Sequence, residues 1–407
     1  MPGLPRAGTM SGGSVVMTIG KKISAAALAA IVGCGLLAGC GSSRTKIDGT
    51  KTLLTVNDDS IDVGVGSFYV KYQQASMYKA YGSYLGSTGF FDYVTNSSTG
   101  ETYGESMKDS AIEDLERMML CKQHASDYQV ALTDDQKTQI ENAAQSYIDG
   151  NSESVQNMVG ASKDDVVTLL ELQTISAEMM DPMVADTDTT VTDDEAQQTS
   201  VTYVAVTTDT TSSSASEQAA SSTESTSTAD ALSKAQAVLA AVKGQSDAAN
   251  ADMNTLASGI DSSLSATTGH FTTNDTTDGT VDSAIVSAVK GLPDGTLVDH
   301  VVTSSDGKTY YVVRLDKNFD QEQTDSKKSE LVTSKKQDAY NALIDKWKDD
   351  AKIKVNESAW SEVKVTDDYG VTLKTTSSAA SSAESAASSA ESSASSAESA
   401  DATSSAG

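Results

Sequence analysis

Between Thr192 and Val201 the spacing of apolar residues changes period, and that change limits what the chain can fold into. Upstream, apolar side chains recur at helical spacing: Ile112, Leu115 and Met119, then Ile140, Ala143, Ala144 and Tyr147, then Val166, Leu169 and Leu170. Each set turns one face of a helix toward a core. From Val201 the run VTYVAVT is β-branched and aromatic, which reads as a strand. A helical module therefore gives way to a part that contains a sheet. A chain of 407 residues has room for two or three such domains.

The helix starts are written as caps. Thr133-Asp-Asp-Gln136 has the spacing of a capping box, and Ser162-Lys-Asp-Asp165 and Thr192-Asp-Asp-Glu195 open two more helices, the last a short one. Gly150 and Pro182 mark stops. Ahead of these, LLTVNDDSI (53–61) reads as a strand and turn. A helix from about Ser67 follows, with Phe68, Tyr72 and Ala75 on one side and Tyr78, Tyr81 and Tyr84 continuing its tyrosines. That stripe reads as core or as a binding surface, with core the stronger claim. Gly- and Ser-rich residues 86–104 read as a loop before a helix over 105–128.

Past the switch, 208–228 is a Ser/Thr-rich low-complexity stretch, expected to be an exposed, mobile loop. A helix over 229–243 carries Leu232, Ala235, Leu239 and Val242, and Gly244 stops it. Asp252 to Ala257 and Val281 to Val289 read as further helical turns, with a short turn-rich segment at GHFTTND (269–275) between them. VDHVVTSSDGKTYYVVRL reads as a hairpin turning at Asp306-Gly307. Tyr310 and Tyr311 point to opposite faces of its last strand, so one is expected in a core and the other on something else. A charged helix over 326–352 carries Tyr340, Leu343 and Trp347, and 353–355 and 363–365 read as strands. The Ser/Ala/Glu tail 376–407 offers only alanine for a coiled-coil seam and is expected to be disordered.

Twenty-nine Lys+Arg stand against 57 Asp+Glu, which excludes a basic nucleic-acid face. Lys21 and Lys22 precede an apolar run from Ile23 to Leu37, too short to span a bilayer comfortably and suited to a signal peptide. Met17 is the natural start of that signal. The run ends in Leu37-Ala38-Gly39-Cys40, which resembles a bacterial lipobox and implies cleavage before Cys40 and lipid on it. Acyl chains would hold the product on a membrane surface. Cys121 is then left alone and reads as a buried core thiol. His124, His270 and His300 are scattered, so no metal site or cofactor is expected.

Residues 201–315 resemble the parvulin (PpiC-type) peptidyl-prolyl isomerases. VTYVAV matches the opening strand, ALSKAQAVLAAVKG the first helix, DMNTLA the segment after it, GHF the glycine turn and GLPDGTLVDHVVTSSDGKTYYVVRL the closing stretch. With a lipobox, a strand-led helical module and a long helix after the parvulin-like part, the layout is similar to PrsA-type foldase lipoproteins of Gram-positive bacteria, whose helical module is similar to that of SurA. The resemblance implies an α+β protein: signal peptide 1–39, lipidated tether 40–51, helical chaperone-like module 52–199, parvulin-like domain 200–318, return helix and short strands 319–375, and tail 376–407. It places Tyr203 and Tyr311 where the family has two histidines, Thr267 near its acidic or cysteine position, and Phe271 and Val289 at its pocket. Two histidines replaced by two tyrosines suggest a paired hydrogen bond kept in another form. Losing the histidines does not exclude isomerisation, which needs an apolar grip on a twisted amide. The implied partners are unfolded secreted polypeptides, met at the extracytoplasmic face of the cell membrane, with Phe68, Tyr72, Tyr81 and Tyr84 as contacts. A homodimer is left open. The competing class is a non-catalytic surface lipoprotein, an adhesin or a solute-binding protein.

Overall fold

The computed structural model describes residues 36–38, 46–85, 89–208, 228–273, 279–369 and 371–373. Cys40, the low-complexity stretch 209–227 and the tail 376–407 lie outside them. The protein is α+β and divides into two compact units, residues 1–186 with 339–407 and residues 187–338.

The first unit opens with β1 (Leu36–Ala38), β2 (Thr52–Val56) and β3 (Asp59–Asp62). Asn57 takes a left-handed φ of 57° in the β2–β3 turn. Helix α1 (Val63–Leu85) starts four residues before Ser67, because burial of Val63 and Val65 overrides the poor helix propensity of a Val/Gly run. Residues 86–104, expected to be loop, contain a hairpin of β4 (Val94–Asn96) and β5 (Glu101–Thr102). Then come α2 (Tyr103–His124), α3 (Asp134–Gly150), α4 (Glu153–Val159) and α5 (Lys163–Met183). Capping boxes form at Thr102/Glu105, Thr133/Gln136 and Ser162/Asp165. Ile140, Ala143, Ala144 and Tyr147 are buried together, and Tyr147 meets Phe68 edge-on at 4.8 Å.

The second unit contains α6 (Asp193–Ala196), β6 (Gln198–Thr207), α7 (Thr228–Lys243), α8 (Met253–Ile260), β7 (Ala266–Thr272), α9 (Ser283–Val289), β8 (Thr296–Leu297), β9 (Val302–Thr303) and β10 (Thr309–Lys317). Its antiparallel sheet runs β7-β6-β10-β8, with β9 also on β10. Both faces of the sheet are covered. Val204, Val206, Tyr310 and Val312 pack with α7 and α8, while Val201, Val313 and Leu315 pack with Phe271 and α9. The expectation that only one of the adjacent tyrosines enters a core is corrected: Tyr310 is buried in the first cluster and Tyr311 packs on the second.

Helix α10 (Gln321–Asp350) begins in the second unit and ends in the first. Its Tyr340 and Ile344 are buried with Cys121, Met179 and Met183, and Cys121 is the inert interior thiol its neighbours suggest. Beyond it, β11 (Ile353–Val355) pairs with β2, which makes β2 the central strand of a β11-β2-β3 sheet. Helical turn α11 (Glu357–Trp360) follows, and β12 (Val371–Leu373) pairs with β1. Residues 363–365 are not the expected strand. Their neighbours are side chains of α1: Lys71 Nζ, in a residue 1% exposed, donates to the Lys364 carbonyl at 2.5 Å, and Gln74 Nε2 donates to the Thr366 carbonyl at 3.0 Å. Val363 and Val365 are buried all the same.

Gly104, at the start of α2, lies against this returning segment. A Cβ there would overlap the Val365 carbonyl oxygen, a backbone atom that cannot swing aside. Gly104→Ala is expected to lower stability by about 2 kcal/mol or more, within the cost of overpacking a core. Gly259→Ala, where a Cβ meets nothing within 4 Å, is expected to be neutral or to stabilise by a few tenths of a kcal/mol. Urea denaturation of the two variants beside the parent checks both.

Candidate functional site

Antiparallel pairing of β6 with β10 and with β7 brings the second unit's candidate residues to one face of its sheet. Val313 lies opposite Tyr203, and Tyr203 lies opposite Thr267. Tyr203 and Tyr311 are therefore diagonal neighbours, and their rings meet edge-to-face at 88° with centroids 5.8 Å apart. Gly269, also on this face, makes room for the ring: a Cβ there would lie 3.1 Å from Tyr203 Cε1 and 2.8 Å from a Val281 methyl. The expected shared hydrogen bond is corrected to a ring contact. The Tyr311 hydroxyl instead donates to Asp282 Oδ2 at 3.2 Å, and Asp282 also accepts the Ala284 N–H that opens α9. Burial, with the Asp282 carboxylate beside it, pushes the Tyr311 phenol up to about 12, so it is a donor at neutral pH.

The remaining candidates divide. Phe271 and Val289 are 3% and 2% exposed and face the interior cluster, so they offer no open wall to a prolyl ring. Thr267 is exposed, and the carboxylate at the tyrosine pair comes from Asp282. An aspartate directly before an apolar helical run was the available signal for that residue.

A second polar knot joins Ser200, His270 and Asp320. Ser200 Oγ donates to Asp320 Oδ2 at 2.7 Å and lies 2.8 Å from His270 Nδ1. The one hydroxyl proton is committed to Asp320, so His270 supplies the proton of the other bond. Burial works against charge on Asp320, yet the Ser200 hydroxyl, the Gln323 N–H and Lys317 hold it below the ordinary carboxylate value. Ser200 is 3% exposed, so its hydroxyl is held inside the fold by His270 and Asp320 and is not presented to solvent. Among the described residues no group of His, Cys, Asp and Glu is arranged to hold a metal ion.

In the first unit the client-contact candidates separate. Phe68 is 3% exposed and belongs to the core, which corrects its expected role. Tyr72 is partly buried, with its ring 6.5 Å from that of Phe68. The side chain of Tyr84 lies outside the described residues. Tyr81 is 52% exposed. The hairpin segment missed in the sequence supplies its companions, Tyr93 at 63% and Val94 at 45% exposure. Rings of the same hairpin segment pack on their neighbours: Phe90 meets Tyr103 at 4.7 Å and Phe91 at 5.0 Å, and Phe91 meets Tyr78 at 5.0 Å. The Tyr103 N–H donates to the Tyr93 carbonyl at 2.9 Å. The run Phe90-Phe91-Asp-Tyr93-Val94 before a Gly-bearing turn was the signal for this hairpin.

No family model matches the chain, and no curated protein matches it. Among solved structures it is similar to the foldase protein PrsA from Streptococcus pneumoniae, at 18% identity over 62% of this chain and 88% of that one, with a TM-score of 0.28. It is also similar to a SurA-like chaperone of Campylobacter jejuni, at 11% identity over 75% of this chain and 99% of that one, with a TM-score of 0.25. At these TM-scores neither likeness bears on function.

Tyr311→Phe is expected to cost about 1 kcal/mol at neutral pH, the worth of one hydrogen bond to a charged acceptor at a partly buried site. The folded pKa lies above the unfolded value of about 10. The bond's contribution is therefore complete below pH 10 and is lost as the pH rises through about 12. Urea titrations should show the parent's advantage over Tyr311→Phe shrinking between those limits, and an advantage that holds through the window would contradict the assignment.

Proposed function

We propose that this chain is a lipid-anchored folding factor on the extracytoplasmic face of a cell membrane, which holds unfolded secreted polypeptides on the aromatic rim of its helical unit. The observation that carries the reading is the rim itself. Five large hydrophobic residues stand out as exposed among the described residues, and Tyr81, Tyr93 and Val94 are three of them. Phe90, Phe91 and Tyr103, whose rings pack on one another, belong to the same hairpin and helix start, in a chain only 5% aromatic. A tyrosine side chain, with two rotatable angles, loses little entropy on binding for the area it covers. Covering each such residue is worth about 1.5–3 kcal/mol at most. Less the cost of ordering an extended chain, two or three such contacts give weak, reversible holding. That suits a factor that must release its client.

The anchor in this reading is Cys40, read from the basic pair, apolar run and small residues before it. Cleavage there would remove β1, so the β1–β12 pair belongs to the uncleaved chain. Among the described residues no helix is long and apolar enough to cross a membrane. The α+β unit serves as a scaffold. Its tyrosine pair is half-buried, the Tyr311 hydroxyl is bonded to Asp282, and Phe271 and Val289 are buried, which favours packing over a proline pocket.

The test is aggregation of a chemically reduced secreted protein with and without the purified chain. The parent is expected to suppress light scattering at stoichiometric amounts. Tyr93→Ser with Val94→Ser is expected to lose most of that effect while keeping the parent's melting temperature. In an X-Pro peptide assay the parent should give no acceleration. Absence of suppression by folded parent would favour an adhesin or solute receptor, and acceleration lost in Tyr311→Ala would return the tyrosine pair to catalysis.

A further inference from the structure

The rim is aromatic, and it is also framed by carboxylates. From Tyr72 to Glu105 the chain has one basic residue, Lys79, against Asp92, Glu101 and Glu105. The returning C-terminal segment brings Asp367 and Asp368 to the same place, with Lys364 three residues before Asp367. Asp367 accepts the Phe91 N–H at 3.1 Å and the Tyr78 hydroxyl at 2.8 Å, and its own N–H donates to Asp92 Oδ2 at 3.3 Å. Exposed Asp368 follows it. Burial pushes the Tyr78 phenol up, and Asp367 and Asp92 push it further, as a local negative potential would. The shallow recess of about 100 Å³ that begins at Glu105 shows the same chemistry already in use. Asp109 and Glu357 line it, and the chain's own Lys108 ammonium sits 5.1 Å above the centre of the Trp360 ring.

Aromatic faces attract cations, and carboxylates beside them add direct pairing. An acidic segment meets like charge on the same surface. We propose that the rim around Tyr81, Tyr93 and Val94 selects extended segments in which apolar residues alternate with Lys or Arg, and rejects segments in which they alternate with Asp or Glu. The inference rests on the chain-holding role proposed above.

The experiment is fluorescence anisotropy with the full chain and three dye-labelled peptides of equal length, in which Leu and Phe alternate with Lys, Gln or Glu. Affinity is expected to fall in that order, with about tenfold or more between the Lys and Glu peptides at low salt. The gap should narrow at 0.5 M salt, as exposed charges are screened. Glu101→Gln with Asp368→Asn is expected to close the gap several-fold and leave the Gln peptide unchanged. Tyr93→Ser with Val94→Ser should weaken all bound peptides. If the Lys and Glu peptides bind equally while the Gln peptide binds, the charge preference is overturned and the holding role stands. If the Lys peptide binds just as well to the Tyr93→Ser, Val94→Ser variant, its attraction is to the acidic chain at large and the proposal fails. If folded parent binds none of the three, the holding role fails with it.

Discussion

A buried ammonium holds the two ends of the first unit together. Lys71 lies in the middle of α1, 1% exposed, and donates to the Lys364 carbonyl nearly 300 positions later and to Gln74 Oε1 at 3.1 Å. A cation so placed is costly unless its donors are used. The returning segment supplies an acceptor. The same segment buries Val363 and Val365, closes over Gly104 and positions Asp367 against the hairpin. Strand β2 repeats the theme, with an edge taken by β3 and an edge by β11. Neither the sheet nor the aromatic rim can be complete until the C-terminal part of the chain has arrived. The second unit is therefore an insertion in the first, and the first is a fold of non-local contacts.

The sheet of the second unit has both faces covered. With helices and loops packed on both faces, the tyrosine pair is half-buried against one of them, and the Tyr311 hydroxyl is spent on the aspartate that caps α9. The Ser200 knot is likewise a closed set of bonds. Polar groups that are satisfied and buried stabilise and orient, and chemistry needs one that is exposed and poised. In the helical unit Tyr81 and Tyr93 stand exposed, in the same part of the chain as the packed rings of Phe90, Phe91 and Tyr103.

Much of the helical part could be read from local signals. Thr133 with Gln136 and Ser162 with Asp165 form the boxes their spacing promised, and Ile140 to Tyr147 turn one face inward. Those features depend on neighbours within a turn or two. What stayed hidden depends on distant partners. The role of Val363 and Val365 is set by Lys71 and Gln74, which no local pattern connects to them. Phe68 and Tyr81 lie on one tyrosine-rich helix, yet one meets Tyr147 and the other meets solvent. The period of a helix marks which side is apolar, and only packing decides how far along it the core extends. Asp282 could be read locally as a helix cap, but its pairing with Tyr311, 29 residues on, could not.

The central claim is that unfolded polypeptide meets the rim of the helical unit and not the tyrosine pair of the α+β unit. A photo-crosslinking side chain placed at position 93, and in a separate protein at position 311, tests it directly with a reduced, unfolded secreted protein as client. The account predicts client adducts from position 93 and only background from position 311. Adducts from 311 with none from 93 would contradict it.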